Sequence, residues 1–326
     1  MALHHFVPQF YLKNFAVSPA DPVVWVYRRA GEPQKLPIKR IAAVQNLYEV
    51  TIAATRQKSE MFERIFAELE GDVKPLLDRL LTVDSFISLS AEQFSLLSYF
   101  MALLYVRGRS FRAKTHNLRI ELLKRHLKNE AKDPISFKAM AQRAGYDLSD
   151  EELERMRQSI LDFDDHFRLT VKRGEDTELL QMMFEIAKRI SLSIFNKRWQ
   201  LYETTASVFV TSDNPLTVML YPNTPRNSAD IFTTGVVAWP LSPCRCLLLE
   251  PGRITPQIQV SVVDSGTVDN VNRSTMFHAH REVYSNLLSA ATATAFQRTV
   301  EGFSEELLNA DAIFERIICK ASEDTP

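Results

Sequence analysis

From residue 60 to about residue 199 the apolar side chains recur at three- and four-residue steps, while on both sides they gather in short β-branched and aromatic runs. This change of period constrains the fold more than any motif does, because a helical stripe and a pleated strand place side chains incompatibly. Phe62, Ile65, Phe66, Leu69, Val73, Leu76, Leu77 and Leu80 form the stripe of one amphipathic helix over residues 60–81. Ser90 with Gln93 has the spacing of a capping box and opens a second helix, whose core face is Leu97, Phe100, Met101 and Leu104. Ser149 with Glu152 opens a third, continued by Leu153, Met156, Ile160, Phe163 and Phe167. Leu180, Met183, Phe184, Ala187, Ile190 and Ile194 mark a fourth that ends near Trp199. Between the second and third, residues 124–143 are highly charged and broken at Pro134, with Gly145 placed to end a short helix. This section reads as an excursion over the core or an insertion that covers a site.

The flanks read as strands. Residues 22–28 are rich in β-branched and aromatic types and precede the turn Gly31-Glu32-Pro33, with short partner strands at 36–41 and 47–50. After Tyr202, strands are expected at 206–211, 235–241, 246–249 and 258–263, kept short by Pro215, Pro222, Pro225, Pro240, Pro243, Pro251 and Pro256. A helix over 268–279, a strand over 282–285 and a last helix over 304–319 follow. The fold class is therefore α+β: a predominantly helical body with a small mixed or antiparallel sheet built from N-terminal and C-terminal segments. No flexible linker marks the changes of character, so residues 1–320 read as one compact domain. A helical subdomain at 55–203 and a β-rich part at 204–285 are the alternative division.

Composition excludes several classes. A 45% hydrophobic fraction in 326 residues needs no covalent staples. With 39 basic and 40 acidic side chains, the net charge of -1 supplies no whole-molecule field for nucleic acid, although a local basic groove can sit on a neutral protein. The start lacks a basic segment followed by an apolar stretch, and no run of about 18 apolar residues occurs, so the expectation is a cytoplasmic protein without membrane contact. Three cysteines, Cys244, Cys246 and Cys319, do not make a disulfide framework, and the Cys-x-Cys pair reads as small core residues. Oligomeric state is not encoded in any of this.

Three patches carry chemistry. At the start, His4, His5, Gln9 and Tyr11 lie within a few residues of one another. His4 and His5 diverge if the segment is extended, so they do not chelate one ion together; a bond to a backbone group or acid–base work are the competing roles. Arg107 follows Leu103 and Leu104 on the inward face of its helix and needs an anion, either Glu63 or Glu70 of the preceding helix or a bound phosphate or carboxylate. The third patch, Ser212-Asp213-Asn214-Pro215, ends a hydrophobic strand. It reads as an Asx-turn, or as a place where Asp213 acts as a base, a metal ligand or a partner for histidine. Ser212 lacks the Gly-x-Ser-x-Gly elbow of a nucleophile. His278 and His280, spaced by two, do not share a metal, and neither a His-x-x-x-His pair nor a Gly-rich phosphate loop occurs.

The stretch His4-His5-Phe6-Val7-Pro8-Gln9-Phe10-Tyr11-Leu12-Lys13-Asn14-Phe15 resembles the start of the microbial family catalogued as domain of unknown function 4238. The likeness extends to Ser212-Asp213-Asn214-Pro215, Pro240-Leu241-Ser242-Pro243, Asn46-Leu47-Tyr48, the helix with Glu63 and Glu70, the helix ending in Arg107, and Asn272 with Arg281-Glu282-Val283-Tyr284-Ser285. The resemblance implies that these polar residues sit together, and supplies no reaction. The family's patchy microbial occurrence suggests defence against mobile elements, phage among them.

Combined, these readings give one expectation: His4 or His5, Arg107 and Asp213 line a cleft as catalytic groups, with Gln9, Tyr11, Ser212, Asn214 and Glu63 binding substrate. Arginine would hold an anion, histidine would move the proton, and Asp213 would orient the histidine or bind a divalent metal ion. That suits a phosphoester hydrolase, nuclease-like or acting on nucleotides, with nucleic acid or a nucleotide as ligand. The alternative is a non-catalytic nucleotide-sensing or protein-interaction module in which the same residues form a structural polar network. A concave pocket with an exposed histidine nitrogen separates the first from the second.

Overall fold

The computed structural model describes residues 3–20, 22–48, 50–51, 58–162, 177–219, 235–253 and 255–299. The α+β class holds, with long helices and both antiparallel and mixed sheets. The chain gathers into two compact units, divided elsewhere than at residue 204: it leaves the first after Arg112 and has returned to it by residue 177.

In the first unit, β1 (Leu3–His5) leads into a short helix α1 (Gln9–Leu12), then β2 (Val23–Arg28), β3 (Gln34–Pro37) and β4 (Ala43–Gln45). The partner strand expected at 36–41 stops early, because residues Ile38–Arg40 turn into a 3-10 helix after Pro37. Residues 46–48 turn rather than extend, with Asn46 at φ 52. Two-residue strands β5 (Val50–Thr51) and β6 (Lys58–Ser59) precede helix α2 (Met61–Thr82), strand β7 (Phe86–Ser88) and helix α3 (Ala91–Arg107). In α2 the expected stripe is buried except at Leu69, which is half-buried, and Ile65, which is exposed. Both bonds of the Ser90–Gln93 capping box are present. α3 is buried well beyond one stripe, from Phe94 through the continuous run Phe100–Leu104 to Val106 and Arg107, as befits a helix in the interior.

Helix α4 (Arg109–Lys132) carries the chain into the second unit, where α5 (Pro134–Arg143) and α6 (Asp150–Leu161) follow. Asp133 caps α5 by accepting from the amides of Ile135 and Ser136, Pro134 takes the first helical position, and Gly145 at φ 82 closes the connection. The Ser149–Glu152 box opens α6. Ala131, Phe137, Ala141, Leu153 and Ile160 form this unit's core. The expected continuation through Phe163 and Phe167 lies outside the described residues, as do Pro222, Pro225, Cys319 and the helix expected at 304–319.

Back in the first unit, α7 (Thr177–Phe195) packs along α3. Trp199 does not end that helix. It lies in strand β8 (Arg198–Glu203), whose alternation buries Trp199 and Leu201. Then come β9 (Thr211–Ser212), β10 (Thr217–Met219), β11 (Val236–Ser242), β12 (Arg245–Glu250), β13 (Gln257–Val262), α8 (Ser265–His278), β14 (Glu282–Ser285) and α9 (Ala290–Arg298). The strand expected over 206–211 is reduced to β9. Asn272 of α8 bonds the backbone of Val208 and Val210, and between them the Phe209 N–H donates to the Pro243 carbonyl, so the stretch joins no strand ladder there. Helix α9 is an addition, capped by Ser289.

One sheet has the order β10-β11-β12-β8-β13-β7, antiparallel except for the parallel pair β8 and β13. The other, β3-β2-β14-β9, joins N-terminal to C-terminal segments as expected, with Glu282 opposite Arg28 and Val283 opposite Ser212. β1 and β4 pair separately, His4 opposite Val44. Among the described residues, no helix is long and apolar enough to cross a membrane.

Candidate functional site

The opening motif is held by its own alternation. β1 turns His4 inward, 2% exposed, and leaves His5 half-buried. His4 Nδ1 accepts the backbone N–H of Tyr48 at 3.0 Å, and the two rings stack with centroids 5.8 Å apart and planes 7° apart. An imidazole whose Nδ1 accepts carries its proton on Nε2, so His4 is a neutral donor and is poorly placed to shuttle protons. That Nε2 is buried without a hydrogen-bond partner, as are Glu63 Oε2 and Asn46 Oδ1. His5 Nδ1 lies 3.4 Å from Gln9 Nε2. Burial holds the His5 imidazole below its ordinary value, against the opposing effect of the backbone at Lys39 and Ile38.

Arg107 reaches this segment from the last turn of α3 and is 2% exposed. Its Nε donates to Tyr48 Oη at 3.1 Å, Nη1 to Glu70 Oε1 at 2.9 Å, and Nη2 to the His5 carbonyl at 2.7 Å. The guanidinium carbon also lies 4.1 Å from the centre of the Phe66 ring. Burial works against the charge on Arg107, but Tyr48 and Glu70 together outweigh it and raise its pKa. The anion Arg107 needs is thus Glu70, one of the two carboxylates expected for it.

Tyr11 ties three motifs together. Fully buried, its hydroxyl donates to the Pro240 carbonyl at 2.5 Å and lies 2.7 Å from Thr211 Oγ1, while Asn14 Nδ2 donates to the Leu241 carbonyl at 3.1 Å. The histidine stretch, the strand before Ser212 and the Pro-Leu-Ser-Pro strand therefore meet at one phenol.

Asp213 is also 2% exposed. One carboxylate oxygen accepts the N–H of His280 and the other that of Arg281, both at 2.8 Å. The expected Asx-turn is instead closed by Ser212, whose Oγ donates to the Asn214 carbonyl at 2.8 Å and accepts its N–H at 3.1 Å. Burial pushes the Asp213 carboxyl up to about 7, the two amide bonds opposing it. Asn214 donates to the His278 carbonyl and packs on Gly108, where a Cβ would come within 3.3 Å of its Oδ1.

The structure joins His4, His5, Gln9 and Arg107 into one bonded chain through Tyr48. It places Ser212, Asp213 and Asn214 in a second cluster, linked to the first through Gly108. No bond joins Asp213 to His4 or His5. Glu63 lies near Tyr48, whose phenol its charge affects, after burial and the nearby arginines. Sequence reading singled out the arginines of the 105–110 stretch and quoted Asn46-Leu47-Tyr48, but gave no role to Tyr48, the hub of the first cluster, or to Arg109, whose guanidinium lies over the Phe6 ring at 5.1 Å. Tyr48's signal was the left-handed Asn46 two residues before it. Among the described residues, no group of three or more His, Cys, Asp or Glu is placed to hold a metal ion. Cys244 is exposed in the turn before β12, and Cys246 is buried within that strand.

Comparison with curated proteins and with solved structures gives no match. The model of one family, described as protein of unknown function (DUF4238), matches residues 3–287, which takes in every motif of both clusters, and the chain belongs to that family.

Proposed function

We propose that the protein is a non-catalytic nucleotide-sensing module whose His4–Tyr48–Arg107 and Asp213 networks hold the binding surface in shape. One observation carries this reading: His4, Arg107 and Asp213 are each 2% exposed, and Arg107 and Asp213 have internal partners for their charges. An arginine that clamps a phosphate must present its fork to the ligand, and a carboxylate base must present a lone pair to a proton. Arg107 turns its fork to Glu70 and His5, and both Asp213 oxygens face backbone amides.

Phosphoester hydrolysis is the second reading, favoured by His5. Its imidazole is half-buried, held in the neutral form by burial, and adjoins Gln9. The test is cleavage of bis(p-nitrophenyl) phosphate with and without magnesium or manganese, with His5→Ala as control. The sensing reading expects no turnover above background. Turnover abolished in His5→Ala at unchanged melting temperature overturns it.

A further inference from the structure

We draw no further inference here: the strongest candidate, the cluster of buried polar atoms His4 Nε2, Asn46 Oδ1 and Glu63 Oε2 beside Tyr48, belongs to the site already described, and no contact among the described residues brings the three to one point where a ligand would sit.

Discussion

Arg107 and Arg109 lie on either side of Gly108 and meet opposite fates. Arg107 closes α3 inside the protein, with Glu70, Tyr48 and the His5 carbonyl around it and Phe66 under its face. Arg109 opens α4 half-exposed, with its guanidinium over the Phe6 ring and toward the Ala43 carbonyl. A charge buried with its counter-ion and its hydrogen bonds holds structure, while a cation at a half-exposed helix start stays in contact with solvent. The lesson is that residue type alone does not separate scaffold from site. The balance of charge around each residue does.

The sharpest way to break the contrast is Arg107→Met. It leaves Glu70, the Tyr48 hydroxyl and the His5 carbonyl without their donor, so a loss of about 3–5 kcal/mol is expected in urea unfolding. Adding Glu70→Leu should restore much of it, because removing both charges also removes the stranded one. Arg281→Ala, by comparison, should change stability by less than about 0.5 kcal/mol. An unaltered unfolding midpoint for Arg107→Met would show that the guanidinium is not structural.

Asp213 makes a pH-dependent version of the same test. Its carboxyl titrates at about 7 in the folded protein against 3.8 ordinarily, so the unfolded chain releases the proton first. Between about pH 4 and 7 the unfolded state binds fewer protons than the folded one, and stability falls as pH rises; above both values it levels off. In Asp213→Asn that slope should disappear. The variant should also lose about 1–3 kcal/mol at pH 7, because one of two backbone amides then faces another donor. Parallel stability curves for parent and variant from pH 4 to 7 would refute the buried titration.

His4→Phe comes next. The ring can keep its stacking on Tyr48, but the Tyr48 N–H loses its acceptor, which costs about 1–3 kcal/mol. A variant as stable as the parent would indicate that water replaces the imidazole there.

Much of this was legible in the sequence. The stripes at 62–80 and 180–194 and the two capping boxes gave helices α2, α3, α6 and α7, because local spacing decides them. Residues 282–285 were legible as a strand, but not their neighbours, since nothing in Glu-Val-Tyr-Ser names β2 and β9 as partners. The pairing of Arg107 with an acidic residue of α2 followed from the cost of burying a lone cation. What escaped was tertiary: Asn272 holding Val208 and Val210 out of a sheet, Pro37 diverting a strand into a 3-10 turn, and Tyr48 gathering His4 and Arg107. The bonding of Asp213 to the backbone of His280 and Arg281 was also hidden, since the two stretches lie far apart in the chain.

Gly108 separates the two arginines, and Gly108→Ala should cost less than the changes at Arg107, Asp213 and His4. Its φ of -59 and ψ of 149 suit alanine, and stiffening the unfolded chain would favour the variant by about 0.4–1 kcal/mol. Against this, the new Cβ would lie 3.2 Å from the Tyr105 carbonyl oxygen and 3.3 Å from Asn214 Oδ1. The Tyr105 oxygen is helix backbone and does not yield cheaply. Asn214 is anchored by its bond to the His278 carbonyl and by Ser212 on its own backbone. Neither neighbour gives way freely, so the expected outcome is a net loss of about 0.5–1 kcal/mol, partly relieved when Asn214→Ala is added. A double-mutant cycle reads that coupling directly. If Gly108→Ala proves more stable than the parent, Asn214 moves aside, and the contact that links the two clusters is looser than its 3.3 Å implies.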